Sequence, residues 1–202
     1  MAIKSRNDKI FKLVMTALLF AIIIVLQLIG GSVKIGGTSF SFVLLPIVVG
    51  ALTLGPSIGA FLGLTFGVMT VLAGVTAQDF FTATLIQYEP VFTVLVCLVK
   101  ATLAGYVPGI VWKALRNKNE LVAVFLAAAS APVVNTGIFI AGGLLFFGEA
   151  LTEAGFLGGQ SLVYFLVIGC AGINFIAELA VNLLLAPAIH SLIRAFGSMF
   201  KK

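Results

Sequence analysis

The segment that most constrains this chain is residues 40–72, FSFVLLPIVVGALTLGPSIGAFLGLTFGVMTVL, 33 residues without a charge. As one helix it would run about 50 Å at 1.5 Å per residue, against a bilayer hydrocarbon core of about 30 Å. Pro56 lacks an amide donor and disfavours helical geometry at Gly55, so the break falls at that pair. Two short helices folded into a hairpin are expected, about residues 40–54 and 58–72. The second carries Gly59, Gly63 and Gly67 at four-residue spacing. That stripe is smooth enough to let another helix approach closely.

The remaining chain continues the pattern. Of its 202 residues 61% are apolar and 9% charged, where soluble domains carry about 25% charge. Mean hydropathy is +1.21. This describes a polytopic membrane protein, one domain over residues 1–202 with no soluble domain left over. A net charge of +5 then says little about nucleic acid, and no nucleic-acid partner is expected. Cys97 and Cys170 both fall inside apolar runs and read as small buried residues rather than a disulfide or metal pair. With a single histidine in the chain, a Cys/His metal cluster is nearly excluded. No metal and no cofactor is expected. The first apolar segment follows a basic N-terminus but lacks a small-residue cleavage site, so it reads as a retained span.

Six spans are expected: about residues 10–29, the hairpin pair, 91–115, 121–147, and a last helix starting near 162 and kinked or ended near Pro187. Residues 32–41 form an outer loop with Lys34, 73–89 the longest polar loop, and 148–161 another. Ten of the twelve Lys and Arg lie at the N-terminus, after the fourth span and in the tail. Six spans put all three regions on one side, the cytoplasm, with both termini inside. Trp112 reads as an interface anchor, and His190, beside Arg194, as interfacial.

Ionisable groups at bilayer depth cost at least about 2.5–3.5 kcal/mol at a helix centre, so they face a cavity or a partner. Lys100 lies roughly 15 Å into the fourth span. In the sixth, Asn174, Glu178 and Asn182 recur every four residues and share one face. Asn135 and Thr136 sit at comparable depth in the fifth. Two readings stand side by side. Lys100 and Glu178 form a buried pair with the asparagines bonding between helices, or these groups line a substrate pocket in which Lys100 holds an anionic or strongly polar group. Phe80, Phe81 and Tyr88 of the outer loop are placed to close over it or to anchor at the interface.

The sequence contains no GxxxxGK[ST] loop, HExxH or GxSxG, so nucleotide hydrolysis by a P-loop and the common hydrolase routes are out. Asp8 and Asp79 fall in terminal or loop positions, which removes paired-aspartate proteolysis. An enzyme is not expected.

Six spans in about 200 residues without an energy source resemble the substrate-binding (S) component of energy-coupling factor (ECF) vitamin transporters. The residues that carry the resemblance are Ala17-Leu-Leu-Phe-Ala21, similar to the family's AxxxA motif, and the hairpin LLPIVVGALTLGPSIGAFLGLTFG over 44–67. KATLAGYVPGIVWK over 100–113 and PVVNTG over 132–137 add to it. The resemblance implies an all-α membrane protein of the bacterial plasma membrane that captures a water-soluble vitamin from outside. Its pocket would lie among helices 4 to 6 under the outer loops. It also implies docking through the first helix, at Ala17 and Ala21, onto a membrane scaffold (T) subunit driven by two cytoplasmic ATPases. Candidate ligand-binding residues are Lys100, Asn135, Asn174 and Glu178, with Gln87, Tyr88 and Gln160 from the loops. A lysine favours a carboxylate-bearing vitamin. The scarcity of aromatics expected in helices 4 to 6 favours a compact one, pantothenate first. The competing expectation is a self-sufficient small carrier using Glu178, or a membrane scaffold protein; no internal repeat of the kind many secondary carriers show is visible.

Overall fold

The computed structural model describes residues 2–30, 34–35, 38–39 and 42–200. Four long helices and one composite helix carry the structure: α1 (Ala2–Gly30), α3 (Pro56–Val75), α5 (Pro90–Leu115), α6 (Glu120–Phe146), and α8 (Leu162–Tyr164) continuing through a π-helical segment, Phe165–Gly172, into α9 (Ile173–Phe200). All five are long and apolar enough to cross a membrane. The sixth apolar helix, α2 (Leu44–Thr53), has 10 residues and is about 15 Å long, half the hydrocarbon thickness. The hairpin is therefore asymmetric, with a half-length α2 and a 20-residue α3. Residues 32, 33, 36, 37, 40 and 41 of the expected outer loop and helix 2, and Lys201 and Lys202 of the tail, lie outside the described residues. Between them, β1 (Lys34–Ile35) and β2 (Thr38–Ser39) pair antiparallel, Lys34 opposite Ser39.

Two segments expected as loops contain helices. Residues 80–88 form α4 (Phe80–Tyr88) and 148–153 form α7 (Gly148–Glu153). The apolar faces of these short helices, Phe81 and Leu85 in one and Ala150 and Leu151 in the other, pack together with Phe147 and Leu166. Tertiary burial, not local sequence, makes such short helices stable. The last helix does not end at Pro187 but runs through it to Phe200.

The break between α2 and α3 falls where the sequence places it. Gly55 has φ +111°, a region L-residues avoid, and Pro56 opens α3 at its first turn, where a missing amide costs nothing. The glycine stripe of α3 meets α5. A Cβ on Gly59 would collide with the carbonyl of Gly105, one on Gly63 with the carbonyl of Ala101, and one on Gly67 would lie 2.9 Å from the carbonyl of Cys97. Backbone lies on backbone along three turns.

At the other contact, α2, α5, α6 and α9 enclose an alanine-rich core: Ala123, Ala127, Ala128, Ala131 and Ala186 around Val48 and Trp112. Trp112 is thus buried rather than an interface anchor, because the small alanines leave room for its ring. The third packing region joins α1 to the hairpin through Leu19, Ile23, Leu44, Ile47 and Leu62.

The ends are assigned by contacts. Gly109 of α5 abuts Pro56; Glu120 at the start of α6 meets His190 and Arg194 of α9, each at 3.4 Å; and Lys9 and Lys12 flank Ile58 and Phe61. The start of α1, the α2–α3 turn, the α5–α6 turn and the distal part of α9 therefore share one basic end.

Candidate functional site

A cavity of about 130 Å³ opens in the opposite half of the bundle. Six elements build it, α1 among them through Gln27 and Gly30. α5 contributes Thr93, Val96, Cys97 and Lys100, successive turns of one face; α6 contributes Asn135, Thr136 and Phe139; the composite last helix contributes Cys170, Ala171, Asn174 and Glu178. α3 adds Phe66 and Thr70, and α4 closes the outer side with Phe81, Thr82 and Leu85. The π-helical segment lies at this wall. Its i→i+5 geometry changes the residues per turn just before Asn174 and Glu178, the kind of local irregularity common at functional sites.

Lys100 does not pair with Glu178. Among the described residues the ion pairs are those of Glu120 with His190 and Arg194, and none within 4.0 Å joins Lys100 to a carboxylate. The Lys100 ammonium instead stands 5.3 Å from the centroid of the Phe139 ring, a cation–π contact that offsets part of its desolvation. Glu178 is 6% exposed. Its backbone carbonyl accepts from Asn182 Nδ2 at 2.8 Å, so Asn182, 2% exposed, serves the helix rather than the cavity.

Several oxygens of the polar wall are placed to accept hydrogen bonds. Asn135 is 8% exposed and its Oδ1 is buried without a partner; Gln27 Oε1, in α1, is in the same condition. Thr70 and Thr93 donate their hydroxyl protons to the carbonyls of Phe66 and Glu89, at 3.0 and 2.6 Å. Thr82 donates to Asp79 Oδ2 at 2.7 Å. Each hydroxyl keeps only lone pairs for the cavity.

Of the residues singled out in the sequence, Lys100, Asn135, Asn174 and Glu178 stand together on this wall. Gln87, Tyr88 and Gln160 do not line it; all three are exposed. The cause is the unexpected α4, whose register turns Phe81, Thr82 and Leu85 inward and leaves Gln87 outward, with Tyr88 at the helix end. Five polar residues of the wall were not anticipated: Thr70, Thr82 and Thr93, and with them Asp79 and Gln27. Asp79 lay in an expected loop, and Gln27 lay in a helix apolar on every side. Of the aromatics expected to be scarce in helices 4 to 6, Phe139 and Phe147 line the cavity, and α3 and α4 add Phe66 and Phe81; Phe81 meets Phe139 and Phe156 edge-on.

At the basic end, Ala17 and Ala21 are both exposed on α1. Ala17 lies in a shallow apolar groove with Leu13, Thr16, Phe20, Ile58 and Phe61. Only 11% of the α1 span is buried, against 39% of α3, α5 and α6.

Comparison with solved structures finds the fold in ThiT from Listeria monocytogenes, with TM-score 0.63 and 19% identity over 96% of this chain and 99% of that one. No curated protein matches the sequence significantly. The family model for the ECF transporter substrate-specific component matches residues 11–190, nearly the whole chain. A multi-pass helical bundle with a polar cavity among its spans is what a membrane subunit that binds a transport substrate requires, and this chain belongs to the ECF transporter substrate-specific component family.

Proposed function

We propose that the protein captures a compact, carboxylate-bearing water-soluble vitamin, pantothenate first among them, in the cavity around Lys100. The observation that carries this reading is a cation at bilayer depth that faces the cavity and has no carboxylate within 4.0 Å among the described residues. Such a group is retained against its cost where it meets a ligand's charge. The cavity volume of about 130 Å³ favours a compact ligand over a flavin or a folate. The four phenylalanines offer apolar surface to a branched carbon skeleton. Release into the cell would be driven by a membrane scaffold subunit and two ATPase subunits, with the scaffold docking at Ala17 and Ala21 on the exposed face of α1. The membrane concerned is the bacterial plasma membrane, with the basic end cytoplasmic and the cavity toward the outside.

The test is native mass spectrometry of the detergent-purified chain with identification of any co-purified small molecule. A stoichiometric pantothenate is the expected result, and Lys100→Ala should lose it. A charge-assisted hydrogen bond contributes about 1.5–3 kcal/mol, so the Kd should rise about 10- to 100-fold. An empty protein that shows no thermal shift with any vitamin, and that moves solute alone in proteoliposomes without ATPases, would overturn the reading in favour of a self-sufficient carrier built on Glu178.

A further inference from the structure

We infer that Gln27 of α1 is a ligand-binding residue, and that with Asn135 it selects ligands carrying hydroxyl, amide N–H or ammonium donors in addition to the group held by Lys100. This deepens the capture reading and rests on it. Leu19, Ile23 and Gln27 follow one another at four-residue spacing, so they share a face of α1. The first two are 6% and 0% exposed in the core between α1 and the hairpin. Gln27 continues that inward stripe one turn further, where the core gives way to the cavity.

Its Oε1 is buried and accepts nothing from the chain, as does Asn135 Oδ1. Buried acceptors are nearly always satisfied, by water or an ion where the chain supplies no partner; Asn182 Oδ1 is a third such acceptor among the described residues but lies off the cavity, whereas Gln27 and Asn135 line it, where a ligand can reach them. Two such acceptors on one cavity wall, beside threonines whose protons are already donated and the carboxylates of Asp79 and Glu178, call for donor groups from a ligand, while Lys100 and the side-chain amides supply the donors of the same wall. An acceptor-only ligand would leave these oxygens unpaired, which is a steep form of discrimination. A ligand with its own O–H or N–H groups completes them. Gln27 also puts the ligand in contact with the helix that bears Ala17 and Ala21, about 15 Å and 9 Å away along its axis at 1.5 Å per residue.

The test uses the full-length chain in detergent, titrated calorimetrically with pantothenate and with N-(3,3-dimethylbutanoyl)-β-alanine, which keeps the carboxylate and amide but lacks both hydroxyls. Alongside, the melting temperature of the ligand-free protein is followed through Trp112. The wild type should bind the dideoxy analogue at least about tenfold more weakly, as expected for an unmade hydrogen bond to a buried acceptor. Gln27→Met should lower pantothenate affinity to a similar degree while the empty protein melts no lower than wild type. Unchanged pantothenate binding in Gln27→Met overturns the inference. So does a lower melting temperature of the empty variant, because the amide would then serve the fold. If wild type binds no pantothenate, it is the pantothenate reading that fails. The inference is then decided by the empty protein alone: an unchanged or higher melting temperature in Gln27→Met supports it and a fall overturns it.

Discussion

Each polar side chain in this bundle has to be accounted for against an apolar surround, and the four that were legible beforehand are those for which that cost is highest. Lys100, Asn135, Asn174 and Glu178 lie deep in spans where a polar group has no solvent, so a sequence pass isolates them at once. Gln27 and Asp79 escaped for the opposite reason. Near a span end or in a loop, an amide or a carboxylate is ordinary, and only the register of α1 and the helical form of residues 80–88 turn them to the cavity. The two cysteines offer a residue-scale check. Cys97 and Cys170 are the only thiols in the chain, and both line the cavity. Labelling by N-ethylmaleimide should therefore slow several-fold when pantothenate is bound. Labelling indifferent to any vitamin would place the ligand elsewhere.

Among elements, the α3–α5 contact dictates the rest, because it sets the spacing of the wall that carries Lys100. Gly63 faces the Ala101 carbonyl with no room for a side chain. Gly63→Leu should separate the helices and destabilise the protein by about 1–3 kcal/mol, the usual cost of overpacking, seen as a lower melting temperature in detergent. Gly137→Ala, in α6, is the control. Nothing lies within 4 Å of the added methyl, and alanine is the better helix former by about 1 kcal/mol, so stability should hold or rise. The glycine spacing was readable as a close-approach stripe, but not which helix it would meet. A four-residue repeat defines a face and leaves the partner open. The same limit explains Gln87, Tyr88 and Gln160, whose directions depend on short helices stabilised by distant packing.

The whole molecule has two ends with different chemistry. One gathers Lys9, Lys12, Glu120, His190 and Arg194 with the exposed face of α1; the other holds the cavity. On the proposed reading, capture and docking fall at opposite ends and should be separable by mutation. Ala17→Trp together with Ala21→Trp should leave pantothenate affinity within about twofold, the ordinary range for surface changes. Uptake by cells carrying the complete transporter should fall to background, measured with radiolabelled vitamin. Full uptake in the double variant would remove the docking assignment from α1.

By itself the sequence determined that this is a helical membrane protein, where its hairpin breaks, and which deep polar residues would have to find company. Those follow from two local penalties, a proline without an amide and a charge without water, that act wherever the chain goes. Only the tertiary structure decided that Lys100 faces Phe139 rather than Glu178, that the outer segments are helices, and that α1 supplies Gln27 to the wall. Those outcomes depend on how helices rotate and stack against one another. In spans apolar on nearly every side, that rotation is set by steric fit between partners, which no single segment encodes alone.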